Sequence, residues 1–175
     1  MNKFSKIALI ALMALPLWAQ AQVRTEQTFK KGWKFTREDR AENASVDCND
    51  SKWQSVSVPH DWAIYGPFSI DNDKQNVAIA QDGQKEAMEH AGRTGGLPFV
   101  GVGWYRLQFE APDFKEGKTA TLLFDGAMSH ARIYVNGQEA GYWPYGYNSF
   151  SVDVTPFLKA GETNTLAVRL ENEVE

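Results

Sequence analysis

The chain consists largely of short runs in which apolar and polar residues alternate, and helical periodicity is scarce. Gly, Pro, Asn and Asp separate these runs, as is typical of strands that are joined by tight turns. The pattern predicts seven strands, at residues 32–35, 53–58, 104–109, 119–124, 131–135, 150–154 and 166–170. Seven short strands with turn residues between them predict an all-β fold, either a sandwich or a jelly roll.

Turn signals support this arrangement. Asn136-Gly137 directly follows the fifth predicted strand and is the strongest short signal for a hairpin. Residues 155–158 predict a single helical turn between the last two strands. Gly101 and Gly103 indicate either a close approach of two backbones or a bulge.

One long segment, residues 66–103, lacks a strand pattern and carries seven glycines. Only residues 84–91 could form a short helix there. Stretches of this length are usually functional loops or disordered. We favour a functional loop because aromatic residues flank both ends: Trp62, Phe68, Phe99 and Trp104.

The first 21 residues have the composition of a secretory signal peptide. Residues 2–6 are basic, residues 7–18 form an apolar core, and Ala19-Gln20-Ala21 fits a small-residue cleavage site. The apolar core is too short to span a bilayer, although an uncleaved anchor is the alternative. Cleavage after Ala21 would leave residues 22–175 as one domain of a periplasmic or secreted protein, without a membrane span.

Charge and cysteine content narrow the classes of function. Loss of Lys3 and Lys6 with the signal would leave 16 basic residues against 22 acidic ones, a net charge of −6. Such a domain repels a phosphate backbone, so nucleic acid is not an expected partner. Cys48 is the single cysteine and has no base near it in sequence, so we interpret it as incidental.

Six short motifs follow one another along the chain: Val58-Pro59-His60-Asp61-Trp62, Gly103-Trp104-Tyr105-Arg106, Leu123-Phe124-Asp125-Gly126, Tyr134-Val135-Asn136-Gly137, Gly141-Tyr142 and Phe150-Ser151-Val152-Asp153-Val154-Thr155. In this order they resemble glycoside hydrolase family 2, and most of all its β-galactosidase branch. Each motif alone is weak, but six in the family's order are specific. The resemblance runs from about residue 33 to residue 170 and so covers nearly the whole predicted domain.

The resemblance implies the non-catalytic N-terminal domain of such an enzyme, a jelly-roll sandwich often called the sugar-binding domain. It also implies a parent that hydrolyses O-glycosyl bonds with retention, using two glutamates on a TIM barrel that follows an immunoglobulin-like domain. A galactoside-like carbohydrate and the catalytic barrel are the implied partners. Family members normally continue with further strands beyond Leu170. A chain that stops at Glu175 is therefore expected to be a truncated form without the barrel.

Catalysis by the chain alone is not expected. Retaining hydrolysis needs two carboxylates about 5 Å apart, and no pair of acids here is marked by spacing or by a position at a strand end. No metal is predicted, because His90 and His130 have no partner at the spacing of metal ligands. No cofactor is predicted either, since the glycines at 92, 95 and 96 do not precede a phosphate-binding helix.

Three residues are candidates for substrate binding: His60, Asp61 and Asn76. The carboxylate of Asp61 suits the hydroxyl donors of a hexose, and the adjacent indole of Trp62 suits its apolar face. The structural alternative, in which Asp61 caps a turn and Trp62 fills the core, uses the same geometry and stays open. For Asn76 the substrate role rests on family position alone, and a solvated loop amide is the favoured alternative.

Aromatic residues also cluster behind the hairpin: Tyr142, Trp143, Tyr145 and Tyr147. They could stack on sugar rings, but packing at the end of the sandwich or against the next domain is the favoured interpretation. Asp125 and Asp153 have the character of structural turn and strand-end residues. Two other functions stay open at this stage, a free-standing carbohydrate-binding module of the bacterial envelope and a structural interaction domain without sugar affinity.

Overall fold

The computed structural model describes residues 24–72, 98–113 and 117–172, and these form β-strands joined by loops and short 3-10 turns. The strands are β1 Trp33–Thr36, β2 Gln54–Val56, β3 Val102–Glu110, β4 Thr121–Phe124, β5 Ala131–Val135, β6 Gln138–Trp143, β7 Phe150–Asp153 and β8 Thr163–Glu171. The all-β prediction is confirmed. All seven predicted strands are present with somewhat different ends, and β6 is an eighth. The predicted signal peptide and residues 84–91, which could form a short helix, lie outside the described residues.

Six strands form one antiparallel sheet in the order β2-β1-β3-β8-β5-β6, and β4 pairs with β7 in a second sheet. At the centre of the large sheet, β3 and β8 pair along their whole length, from Val102 opposite Glu171 to Glu110 opposite Thr163. The predicted hairpin at Asn136-Gly137 joins β5 to β6. A 3-10 turn at Thr155–Phe157 lies between β7 and β8, as the sequence predicts.

The inner face of the large sheet forms the core. Alternate residues of four adjacent strands point toward the second sheet and are buried there: Trp33, Phe35, Tyr105, Leu107, Ile133, Val135, Leu166 and Val168. Phe150 of the second sheet closes the core, and its ring stacks on Phe124 with centroids 4.7 Å apart. Aromatic and β-branched side chains fit a pleated surface of this kind, and burying each one contributes about 1.5–3 kcal/mol.

The outer face of the same sheet is polar but partly buried. The connection between β1 and β2 crosses it and includes a 3-10 turn at Ala41–Ala44. Arg106 of β3, which is 1% exposed, donates from Nη1 to the carbonyl oxygens of Asn43 and Ser45 at 2.6 and 2.8 Å. Its Nε lies 3.1 Å from Asp50 Oδ2. The guanidinium therefore ties residues 43–50 to the sheet.

None of the helical turns in the described ranges has the length and apolar character that a membrane span requires. Cys48 lies in the polar connection that covers the outer face and carries a free thiol.

Candidate functional site

Two of the three candidate residues, His60 and Asp61, lie near one end of the sandwich. At that end β3 and β5 begin, whereas β1, β6 and β8 finish, because Thr36 pairs with Trp104, Val102 with Glu171 and Ala131 with Trp143. Neighbouring strands lie about 4.8 Å apart, so a row of five strand ends is roughly 20 Å wide. We call this region the loop end, formed by the connections at residues 60–68, 99–101, 127–130 and 143–149.

His60 is held against the core by Tyr105. Its Nδ1 lies 2.8 Å from the hydroxyl oxygen of Tyr105, which also donates to the His60 carbonyl oxygen at 3.4 Å. The ring of Phe35 lies 5.0 Å from the imidazole. Burial lowers the pKa of His60, and the nearby cation of Arg37 lowers it further, whereas the carboxylate of Asp61 acts in the opposite direction. The neutral imidazole is thus the favoured form in the folded chain.

Tyr105 keeps its proton. Burial raises the pKa of this phenol above its ordinary value, and the charge of Asp61 adds to the effect. The hydroxyl is therefore a permanent donor, and it fixes the position of the imidazole between the core and the loop end.

Asp61 is exposed, and its carboxylate caps the following turn. Its Oδ1 accepts a hydrogen bond from the backbone N–H of Ala63 at 2.8 Å, at the start of the 3-10 turn Ala63–Tyr65. No described residue donates to Oδ2. The cap fixes the orientation of the carboxylate and leaves one oxygen available to an external hydroxyl donor.

Trp62 belongs to the core. It is 5% exposed, and its ring stacks on Phe35 at 5.7 Å. A Cβ at Gly103 would lie 2.7 Å from the Trp62 ring, so only glycine permits this close approach of an aromatic side chain to the backbone of β3. Within the described part of the chain, the buried atoms Trp62 Nε1 and His60 Nε2 have no hydrogen-bond partner. Asp61 and Trp62 thus adopt the geometry of the structural alternative, while the sugar-binding role of Asp61 stays a prediction.

A shallow groove of about 530 Å³ lies beside this cluster, between the end of β1 and the turn that follows Trp62. Arg37, Glu38 and Tyr65 are among the residues that line it. The guanidinium of Arg37 lies 4.7 Å from the centroid of the Phe99 ring and donates to the Trp62 carbonyl oxygen at 2.5 Å. Polar groups can form hydrogen bonds with the hydroxyls of a sugar, and an exposed tyrosine ring can pack against its apolar face.

The other side of the loop end is formed by the loops before β5 and after β6. The His130 N–H donates to the Pro144 carbonyl oxygen at 3.0 Å, and His130 Nδ1 lies 2.8 Å from the hydroxyl oxygen of Tyr142. Trp143 packs inward and stacks on Phe150 at 5.4 Å. The sequence prediction of packing therefore holds for Trp143, whereas Tyr142, Tyr145 and Tyr147 are exposed.

Asn76, the third candidate, lies outside the described residues. In the described part of the chain, no three His, Cys, Asp or Glu side chains are grouped as metal ligands. Asp153 acts as a strand-end residue, since its Oδ1 accepts hydrogen bonds from the N–H and the hydroxyl of Thr155 at 2.9 and 2.6 Å.

Comparison with known sequences identifies the family. Residues 27–172 match the description "Glycosyl hydrolases family 2, sugar binding domain". The chain belongs to this family. The family 2 domain is 37% identical over 149 residues to β-galactosidase BoGH2A of Bacteroides ovatus, with 85% of this chain covered. It is 32% identical over 167 residues to a putative β-glucuronidase of Formosa agariphila, with 95% of this chain covered.

Solved structures agree with this assignment. A family 2 member from Bacteroides cellulosilyticus superposes with a TM-score of 0.64 at 35% identity over 84% of this chain. A β-glycosidase from Bacteroides vulgatus superposes with the same TM-score, 0.64, at 32% identity over 82% of this chain. The chain is therefore the sugar-binding domain of family 2, with the jelly-roll fold.

The chain spans only a small part of these proteins. The matched region is 16% of the Bacteroides ovatus enzyme, 14% of the Formosa agariphila protein and 18% of the Bacteroides cellulosilyticus chain.

Sequence reasoning missed two partners of the predicted site. Tyr105 lies in the predicted strand 104–109, but its hydrogen bond with His60 joins positions 45 residues apart and leaves no local signal. Arg37 was not predicted to belong to the site either, because its two partners, Trp62 and Phe99, are distant in sequence. The motif at residues 58–62 did identify the right turn.

Proposed function

We propose that this chain is the substrate-binding and scaffold domain of an exported O-glycosyl hydrolase of the β-galactosidase type, and that the catalytic carboxylates lie on another domain. Family membership over residues 27–172 supports the scaffold role. The relatives include proteins named as β-galactosidases and as β-glucuronidases, so the class of substrate is a β-linked glycoside. The galactoside is favoured because the motifs of this chain resemble that branch.

The observation that carries the proposal is the arrangement of Asp61. Its carboxylate is exposed at the loop end and held by its cap to Ala63 N–H, with Oδ2 available to a sugar hydroxyl. His60 next to it is neutral and fixed by Tyr105, so it supports the turn without adding a positive charge. A carboxylate that is already oriented loses little entropy when it binds a hydroxyl.

Asn76 is proposed as a second contact to the substrate, from the loop that follows the Asp61 turn. The proposal also includes export, since residues 1–21 have the composition of a signal peptide. N-terminal sequencing of the protein from the periplasm or the medium tests export. A mature chain that begins at Gln22 is expected, and a protein that keeps Met1 in the cytoplasm would contradict it.

A fusion enzyme tests the role of Asp61. Residues 27–172 replace the matching segment of the Bacteroides ovatus β-galactosidase, and hydrolysis of a chromogenic β-galactoside is measured. In this fusion Asp61→Asn keeps an oxygen for the cap to Ala63 but loses the charge. A hydrogen bond to a charged group contributes about 1.5–3 kcal/mol, so we expect kcat/KM to fall by about tenfold or more.

Asp113→Asn is the matched control, because this exposed carboxylate lies beyond the far end of β3. It should leave kcat/KM unchanged. Equal activity of the Asp61→Asn and Asp113→Asn fusions would remove Asp61 from the substrate site.

A free-standing carbohydrate-binding module is the second candidate, and the groove with the exposed ring of Tyr65 favours it. Calorimetry of the chain alone with galactose, lactose and glucuronic acid tests this candidate. Binding that Tyr65→Ser abolishes would support the module. Absence of binding at millimolar sugar would leave the scaffold role as the better proposal.

A further inference from the structure

Two side chains from different strands hold the turn that carries Asp61. Tyr105 belongs to β3 and contacts His60, the residue before Asp61. Arg37 follows directly after β1 and contacts Trp62, the residue after Asp61. Asp61 itself is exposed, yet both of its neighbours in sequence are bound to groups of the large sheet.

The contact on the His60 side comes from a buried phenol. The Tyr105 hydroxyl oxygen lies 2.8 Å from His60 Nδ1 and 3.4 Å from the His60 carbonyl oxygen. Tyr105 is 6% exposed, and its ring packs against Phe35 at 4.9 Å and Trp33 at 6.3 Å between centroids. Because packing fixes the phenol ring, its hydroxyl gives the imidazole and the start of the turn one position.

The contact on the Trp62 side comes from a guanidinium that has two partners. Arg37 Nη2 donates to the Trp62 carbonyl oxygen at 2.5 Å, and its guanidinium carbon lies 4.7 Å from the centroid of the Phe99 ring. A planar guanidinium can donate in its plane while an aromatic ring lies against its face. The indole of Trp62 is fixed separately, because it stacks on Phe35 and leaves no room for a Cβ at Gly103.

Between these two contacts the Asp61 side chain has little freedom. Its Oδ1 is bound to the Ala63 N–H at 2.8 Å, so the carboxylate is fixed at one oxygen and by the residues on both sides. Oδ2 is then presented to the loop end in one direction. Displacing a group that contacts substrate by about 1 Å can lower the rate on the order of 100-fold. Residues that prevent such a displacement therefore contribute to substrate recognition without touching the substrate.

We propose that Tyr105 and Arg37 are positioning residues for substrate recognition and that both act through the Asp61 carboxylate. The inference rests on the proposed function of Asp61. Tyr105 is too deeply buried to reach a sugar, so its effect must pass through His60. A direct contact of Arg37 with the sugar is the alternative, because Arg37 also lines the groove beside the turn.

Water–amide exchange, measured by NMR in the 175-residue chain, tests the positioning without any substrate. The probe is the Ala63 N–H. The reference is the Thr155 N–H, which Asp153 Oδ1 caps in the same way at 2.9 Å. In Tyr105→Phe and in Arg37→Met, exchange at Ala63 is expected to be about fivefold faster, as loss of one hydrogen bond predicts. Exchange at Thr155 should stay at its wild-type rate.

Two control variants match these changes. Tyr142→Phe removes a hydroxyl that also lies 2.8 Å from a histidine Nδ1, that of His130. Arg40→Met removes an exposed arginine from the same connection as Arg37. Neither control should alter exchange at Ala63. Equal exchange at Ala63 in the test variants and wild type, or an equal rise at the reference amide, would overturn the proposal.

The fusion enzyme tests the effect on substrate. Loss of a binding contact raises KM, whereas partial unfolding lowers the amount of active enzyme and leaves KM unchanged. We expect KM to rise about fivefold in Tyr105→Phe and in Arg37→Met, the equivalent of one hydrogen bond. Arg37→Lys keeps a charged donor and should recover most of the wild-type KM, while Arg40→Met should not change it. A lower kcat at the wild-type KM would indicate a purely structural role and overturn the proposal.

Combination with Asp61→Asn separates positioning from direct contact. If Tyr105 and Arg37 act through Asp61, adding Tyr105→Phe or Arg37→Met to Asp61→Asn should lower kcat/KM no further. An Arg37→Met change that lowers kcat/KM equally with and without Asp61 would mean that Arg37 contacts the sugar itself, and the proposal would be wrong.

The proposed function and this inference can fail separately. Amide exchange does not depend on hydrolysis, whereas the Asp61→Asn comparison does. Faster exchange at Ala63 with a silent Asp61→Asn change would keep the positioning of the turn and reject the substrate role of Asp61. Loss of activity in Asp61→Asn with unchanged exchange in Tyr105→Phe and Arg37→Met would reject only the positioning residues.

Discussion

The two faces of the large sheet are stabilised by different forces. On the inner face, apolar side chains from four strands pack under the second sheet, and Ile133 and Val135 are fully buried. On the outer face, Trp104 and Arg106 are equally buried, at 2% and 1% exposure, but their partners are carboxylates and carbonyl oxygens. The same strands therefore carry an apolar core on one side and a hydrogen-bonded ionic network on the other.

The two faces differ in whether a buried side chain requires one particular partner. An apolar side chain needs only to leave water, so many neighbours serve equally well. Arg106 needs particular acceptors, and losing them would leave a buried charge unpaired. The outer face should thus tolerate substitution less well than its polarity suggests.

The largest effect is expected for Arg106→Met. Methionine has a similar length but leaves two carbonyl oxygens and Asp50 without their donor. Breaking a buried ion pair by removing one partner costs about 3–5 kcal/mol, and we expect a loss of about 4 kcal/mol in the free energy of unfolding, measured in urea.

Two variants calibrate this value. Ile133→Ala removes inner-face packing and is expected to cost about 3 kcal/mol. Arg132→Met removes an arginine that is 44% exposed on β5, and it should change stability by less than about 0.5 kcal/mol. If Arg106→Met loses as little free energy of unfolding as Arg132→Met, and not as much as Ile133→Ala, the outer face behaves as a solvated surface. The proposed difference between the two faces of the sheet would then be wrong.

The inner face could be predicted from sequence because alternation is a local property. The run 131–135 was predicted as a strand and is β5. In contrast, β6 was not among the predicted strands, since Glu139, Ala140 and Gly141 are residue types depleted from strands. Gly141 is needed there because a Cβ would lie 2.8 Å from the Val152 side chain of the second sheet.

The outer face could not be predicted in this way. Its cover, the connection between β1 and β2, has no periodicity, and the bond from Arg169 to Asp39 joins residues 130 positions apart. The candidate site shows the same limit. The motif located His60 and Asp61 on one turn, but the contact of His60 with Tyr105 joins positions 45 residues apart and depends on the pairing of β1 with both β2 and β3.

An intermediate effect is expected for Asp39→Asn at the exposed edge of the outer network. Arg169 Nε and Nη2 donate to the two Asp39 oxygens at 2.9 and 2.7 Å, and Trp104 Nε1 donates at 2.8 Å. The hydrogen bond from Arg169 holds the pKa of Asp39 below its usual range. Because Asp39 is partly exposed, solvent weakens the pair, and we expect a loss of about 1 kcal/mol at pH 7.

The sign of the pH dependence identifies this interaction. Since the folded pKa of Asp39 is lowered, its contribution is complete above the unfolded value of 3.8 and is lost as pH falls through the folded pKa. The difference between wild type and Asp39→Asn should therefore shrink in urea titrations from pH 6 to pH 2.5. Asp47→Asn, an exposed carboxylate on the same connection, should match wild type throughout. A difference that stays constant with pH would assign the loss to packing instead.

The smallest effect is expected for His60→Asn, which probes an imidazole that packs against the apolar inner face. Burial lowers the pKa of His60 below its ordinary 6.5, with Tyr105, Asp61 and Arg37 facing the ring. The unfolded chain then takes up a proton more readily than the folded one, so the contribution of His60 to stability is complete above pH 6.5 and decreases as pH falls through the folded pKa.

Urea midpoints at pH 7.5 and 5.5 should differ in wild type, and they should differ less in His60→Asn. His130→Asn, at the loop end beside Tyr142, is the matched control and should keep the wild-type difference. If the difference between the two urea midpoints is the same in His60→Asn as in wild type, the His60 ring is solvated. The apolar packing of the inner face would then end at Phe35 and would not include the imidazole.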